Sequence, residues 1–151
     1  MLLVFDTSLA DESMVALADE EGKERYGTRV YPRKEGGSAY LLRGARELLG
    51  VRGAGLEALT GLVVSRGPGS YTGLRIGFSL AQGLSEARSL PVVSVPSFDA
   101  FAAGHREPGL PLVVCYDARS RGVAFVIFPA GSAEAITAGS EEERKAAASA
   151  V

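Results

Sequence analysis

Apolar residues in this chain occur first as short runs and then as helical stripes separated by further runs. Leu2-Leu3-Val4-Phe5 is continuous and is stopped by Asp6-Thr7-Ser8, the pattern of a strand buried on both faces. Ser13 to Ala18 and Lys23 to Tyr31 follow as strands across the turn signal Asp19-Glu20-Glu21-Gly22, so a β-meander opens the chain. Pro32 to Gly37 reads as a loop. Ser38 is placed to cap a helix from Ala39 to about Leu49, with Gly50 as its stop. Leu41, Leu42, Ala45, Leu48 and Leu49 form its apolar stripe. After the Gly-rich Gly50 to Gly55, Leu56 to Leu59 reads as a helical turn. Leu62-Val63-Val64 reads as a buried strand parallel to the first.

Gly67-Pro68-Gly69-Ser70-Tyr71-Thr72-Gly73 follows that strand and opens a second long helix, roughly Leu74 to Arg88. Pro91 to Val95 is another strand, and Ser97 can cap a short helix from Phe98 to Ala103. The loop from His105 to Pro111 divides a first lobe, residues 1–106, from residues 107–151. The latter hold a hairpin within 111–128 (Leu112 to Tyr116 with Val123 to Phe128), then a small-residue, acidic tail with one expected helix, Glu141 to Ala150. The order βββαβαβα, then a hairpin, predicts an α/β domain with a mixed sheet and helices on its faces.

Composition narrows the function classes. The longest uncharged stretch, Gly122 to Ala133, is 12 residues, below the ~20 that a membrane helix needs. The N-terminus has no positive n-region, which points to a cytoplasmic protein with no membrane partner. A single cysteine, Cys115, and a single histidine, His105, supply neither an internal disulfide nor a zinc cluster. Cys115 lies in an apolar strand and reads as a buried thiol, and His105 as an exposed loop residue. Net charge is −2, with no basic stripe for direct nucleic-acid binding. Glycine is the outlier: twelve of the nineteen lie between Gly36 and Gly83, where each needs a backbone reason.

Part of that reason is the turn at Gly67, Gly69 and Gly73. Glycines between a strand and a helix can aim N–H groups at an anion, yet no Gly-Lys-Ser/Thr follows and the spacing is not that of a dinucleotide loop. The motif suits a tight structural turn, the favoured reading of so short a glycine pattern, or an anion site. Asp6-Thr7-Ser8 ends the first strand, where α/β folds place ligand contacts; the alternative is a strand-end aspartate satisfied by turn N–H groups. The candidate nucleotide or anion residues are therefore Asp6, Thr7, Ser8, Gly67, Gly69, Ser70, Thr72 and Gly73. No catalytic residue and no metal ligand is assigned.

The second long helix is unusual. Arg75, Ser79, Gln82 and Glu86 share one narrow line, and apolar residues flank it on both sides: Leu74, Phe78 and Ala81, then Ile76, Leu80, Leu84 and Ala87. That is more apolar surface than one sheet covers, and Gly44, Gly73, Gly77 and Gly83 would let another helix approach. The first helix could cover this surface within one subunit, but a helix-packed interface is the favoured reading, with Leu41, Leu42, Ala45, Leu49, Leu74, Gly77, Phe78 and Ala81 as the candidate subunit interface.

Several segments together resemble a known family. Leu3-Val4-Phe5-Asp6-Thr7-Ser8, the run from Val64 to Gly77 with Ser65-Arg66-Gly67-Pro68-Gly69-Ser70-Tyr71-Thr72-Gly73-Leu74-Arg75 at its heart, Val95-Pro96-Ser97-Phe98-Asp99-Ala100 and Asp117-Ala118-Arg119 are similar to the TsaB (YeaZ) family. The resemblance covers about residues 1–128. It implies an actin/HSP70-like ATPase (ribonuclease H-like, ASKHA) fold, from which this chain departs in having a shortened second lobe where the family has a complete one. It also implies a non-catalytic role in tRNA threonylcarbamoyladenosine (t6A) synthesis. The partners it implies are a second copy, a TsaD-like catalytic subunit and a TsaE-like ATPase, with tRNA reached only through the complex. No cofactor is firmly implied; ATP or ADP with magnesium at a subunit interface is the candidate. The alternative reading is an actin-like ATPase or kinase that holds Mg-ATP at Asp6 and the Gly67 to Gly73 turn. Where the family commonly has a histidine at the start of its first helix, this chain has Ser38-Ala39-Tyr40.

Overall fold

The structure is a computed structural model that describes residues 1–23, 25–32, 37–117 and 122–131. The first strands pair as the pattern predicts. β1 (Leu2–Asp6) is antiparallel to β2 (Glu12–Ala18), which is antiparallel to β3 (Arg25–Pro32). β4 (Gly61–Ser65) lies parallel to β1, and β5 (Val92–Val95) parallel to β4. The result is a five-stranded mixed sheet in the order β3-β2-β1-β4-β5.

Register puts Leu3 opposite Leu17 and Leu62, and Phe5 opposite Val15 and Val64. These six side chains share one face and are all buried, each contributing roughly 1.5–3 kcal/mol. Helices α1 (Ser38–Val51) and α2 (Tyr71–Arg88) cover the sheet. α1 turns Leu41, Gly44, Ala45, Leu48 and Leu49 inward at helical spacing.

Element ends depart from the sequence reading in five places. Gly37, not Ser38, is the N-cap of α1, and Pro96, not Ser97, that of α3 (Ser97–His105); neither helix has a side-chain cap bond. Pro96 suits a helix start because its φ of −59° is already helix-like and it has no N–H to satisfy. Gly50 does not stop α1, which runs on to Val51, because the reversal is made at Gly53, the residue with φ +63°. α2 begins at Tyr71, since Ser70 is its cap, with Oγ accepting from the Gly73 N–H at 3.3 Å. His105 closes α3 instead of opening a loop, and its Nδ1 lies 2.8 Å from the Phe101 carbonyl.

The chain divides into two compact units after Val95. The lobe break was expected after residue 106, but α3 goes with the second unit. Ala102 is buried with Val126 and Phe128, and Phe98, Leu112 and Val114 pack against them. In that unit β6 (Leu112–Asp117) and β7 (Val123–Phe128) form an antiparallel two-stranded sheet. β6 alternates strictly, with Leu112, Val114 and Tyr116 on one side and Val113, Cys115 and Asp117 exposed on the other. Cys115 is thus an exposed free thiol, not a buried one, because its position in the period-2 pattern puts it on the outer face. The expected tail helix, Glu141 to Ala150, and the Ala118-Arg119 part of the motif lie outside the described residues.

Candidate functional site

Two features meet where β1 and β4 end. Asp6 is half-buried, and its Oδ1 accepts from the Ser8 N–H at 2.9 Å, the short-range turn expected of an aspartate there. Thr7 and Ser8 follow with 0% and 1% of their surfaces exposed. The Thr7 N–H reaches Ser65 Oγ at 3.4 Å. Against them folds the glycine turn, which has a cis Gly67-Pro68 bond and φ +90° at Gly67, a conformation that favours glycine. Gly69 is glycine for another reason: a Cβ there would lie 2.5–2.8 Å from the carbonyl oxygen, Cβ and Cα of Ser8. The Ser70 N–H then donates to the Ser8 carbonyl at 2.7 Å. The two turns are zipped together.

A magnesium-bound nucleotide is the group an actin-like reading would put here, and the residues do not fit it. The Ser70 and Gly73 N–H groups, which a phosphate cradle would aim outward, are given to the Ser8 carbonyl and to Ser70 Oγ. Thr7 and Ser8 are sealed from solvent. Asp6, Gly67, Gly69 and Gly73 do converge on these turns, whereas Thr72 faces outward on the first turn of α2. Among the described residues no three Cys, His, Asp or Glu side chains form a group that could hold a metal ion.

The second feature is α2. Its buried line is Gly73, Gly77, Ala81 and Leu84, one small-residue stripe laid on the sheet. A Cβ on Gly77 would lie 2.5 Å from Thr7 Oγ1 and 3.4 Å from Val64 Cγ2. Gly44 on α1 likewise sits 2.7–3.0 Å, measured from its would-be Cβ, from Tyr31 and Val15. These two glycines bring helices down onto their own sheet, not onto another helix as expected. Gly83 has nothing within 4 Å.

The candidate interface residues separate in the same way. Leu41, Ala45, Leu49, Gly77 and Ala81 are buried within the chain, because the apolar sheet face beneath them has to be covered. Leu42 and Leu74 are half-buried, and Phe78 is 40% exposed. Tyr71, 71% exposed, joins them; with Leu74 and Phe78 it makes an i, i+3, i+7 stripe. The sequence reading missed Tyr71 by starting the helix at Leu74. Placing the cap at Ser70 would have brought it onto the stripe. The expected polar line is present beside it, with Gln82 Nε2 donating to Glu86 Oε1 at 2.9 Å. On exposed α1, Arg43 Nε donates to Glu47 Oε1 at 2.8 Å, and that bond and charge raise the Arg43 pKa above its usual value.

Among the described residues no helix is long and apolar enough to cross a membrane. Comparison with known proteins is consistent across sequence and structure. The TsaD family model, tRNA N6-adenosine threonylcarbamoyltransferase, matches residues 32–142. A tRNA threonylcarbamoyladenosine biosynthesis protein TsaB from Haemophilus influenzae is 38% identical over 81 residues, which is 52% of this chain and 34% of that one. The TsaB of Bacillus subtilis is 30% identical over 118 residues, 78% of this chain and 50% of that one. The structure of YeaZ from Pseudomonas aeruginosa superposes with TM-score 0.72 at 30% identity, covering 92% of this chain and 64% of the other. The chain thus spans a third to a half of these two relatives' length, and just under two thirds of the solved one. Its mixed sheet and helices fit the actin-like, ASKHA-type α/β fold.

Proposed function

Because the chain belongs to the TsaB (YeaZ) family of tRNA threonylcarbamoyladenosine biosynthesis proteins, we propose that it is a non-catalytic partner subunit of the t6A-forming complex. It pairs with a second copy or docks on a TsaD-like catalytic subunit, and a TsaE-like ATPase and tRNA are reached through that assembly. The observation that carries the reading is the stripe of exposed Tyr71 and Phe78 with half-buried Leu74 between them on α2. Two exposed aromatics on one helix side are the residue type that anchors interfaces. The inward stripe of Gly73, Gly77, Ala81 and Leu84 is buried, whereas Tyr71, Leu74 and Phe78 lie outside the lobe's core cluster, which Leu42 borders.

Catalysis is left to the partner. This chain's contribution is a rigid surface: α2 is seated by Gly77 on Thr7, just after β1, and on Val64 of β4, so an aromatic anchor on its outer side is presented with little loss of freedom on binding. Light scattering on the eluted protein, alone and with a TsaD homologue, tests the proposal. Wild type should run as a dimer or join the homologue, and Phe78→Glu and Tyr71→Glu should do neither while keeping wild-type circular dichroism. A monomeric wild type that also ignores the homologue overturns it. The enzyme alternative is separated by calorimetric titration with Mg-ATP, where the proposal expects no heat of binding at millimolar nucleotide.

A further inference from the structure

An open cleft of mixed polar and apolar lining lies on the side of α2 that faces the start of α1. Thr72, Arg75, Ile76 and Ser79 fall at i, i+3, i+4 and i+7, and with Ser38 they line a space of about 290 Å3. Ile76 is half-buried, and a Cβ on Gly37 would come within 3.7 Å of its Cδ1. The start of α1 therefore rests on Ile76, with three hydroxyls and a guanidinium around it.

The electrostatics of this cleft are one-sided. Arg75 stands near the beginning of α2, where the helix dipole already places about half a positive charge. Neither α1 nor α2 has an acidic residue in its first turn, and the cap of α1 makes no side-chain bond. Among the described residues Arg75 joins no salt bridge. Its recorded contact is the Tyr71 ring, 5.6 Å from the guanidinium carbon, which engages the cation without neutralising it. A surface arginine beside two positive helix ends breaks the usual charge pattern, and such local violations concentrate at functional positions.

We propose that this cleft binds the oxyanion of a small ligand, a phosphate or carboxylate group. Arg75 is the counter-charge, offering its planar fork of N–H donors, and Ser38, Thr72 and Ser79 add hydroxyl donors. The ligand group would cancel the positive charge that the chain leaves uncompensated there. The cleft is apart from the sealed Thr7 and Ser8 turn, and the inference goes beyond the partner-subunit reading without resting on it.

Amide chemical-shift titration of the full chain tests it, with sodium phosphate and sodium acetate as separate probes and sodium chloride at matched ionic strength as the blank. Saturating shifts centred on Ser38, Thr72, Arg75 and Ser79 are expected for at least one probe. The stronger of the two identifies the source of the oxyanion. Arg75→Gln should weaken the binding about tenfold or more with the rest of the spectrum unmoved, and Arg75→Lys should restore part of it. Shifts that match the chloride blank, scatter over the surface cations, or survive Arg75→Gln overturn the proposal. No partner protein is present in the titration, so its failure is distinct from a failure of docking.

Discussion

Adding one methyl group to α2 should have opposite effects at two of its glycines. Gly83 has nothing within 4 Å of a would-be Cβ. Gly83→Ala therefore keeps only the gain in helix propensity, about 1 kcal/mol. Gly77→Ala makes the same gain but drives Cβ to 2.5 Å from Thr7 Oγ1, with Val64 Cγ2 behind it at 3.4 Å, where carbon contacts prefer roughly 3.5–4.0 Å. Thr7 has no exposed surface, and a β-branched side chain has little rotamer freedom with which to retreat. Overpacking of this kind costs about 1–3 kcal/mol; the short contact points to the upper part of that range, for a net loss of about 1–2 kcal/mol. In a chain of this size 1 kcal/mol is roughly 2–4 °C in Tm, so Gly83→Ala should melt higher than wild type and Gly77→Ala lower. Thermal and urea unfolding read by circular dichroism, at two protein concentrations, measure both. A cycle with Thr7→Ala should show coupling of about 0.5 kcal/mol or more between positions 7 and 77. Equal stabilisation by the two alanines would refute the packing of α2 on Thr7.

Two further outcomes follow from the same contacts. Ser70→Ala removes the hydroxyl that caps α2 and should cost about 1 kcal/mol in urea unfolding; an unchanged midpoint would show that the Gly73 N–H does not depend on it. Cys115 should react with a thiol reagent in the native protein at nearly the rate of the unfolded chain, and strong native-state protection would contradict its place on the outer face of β6.

Much of the lobe was legible locally. The run at Leu2 to Phe5, the stripe on α1 and the turn residues between strands each carry a period that one backbone conformation satisfies, so strands, helices and their order follow from neighbours along the chain. The Gly67 to Gly73 turn was visible too, though two uses for it were open. The family resemblance rests on the same segments, and the comparisons bear it out.

What the sequence by itself determined is therefore the list of elements, the apolar stripe of α1, and membership of the family through the Ser65 to Arg75 run. Tertiary structure alone decided which surface each small residue meets. A glycine that admits a second helix and one that admits a sheet look alike in one dimension, because the missing Cβ says only that something comes close. Thr7 meets Gly77, and Ser8 meets Gly69, across 70 and 61 residues of chain, and no local period encodes those pairs. The same long-range closure gives the Ser70 N–H to the Ser8 carbonyl and turns a loop that could have cradled an anion into a seam. The side of α2 left outward, with Tyr71, Phe78 and Arg75, is then whatever the sheet did not need.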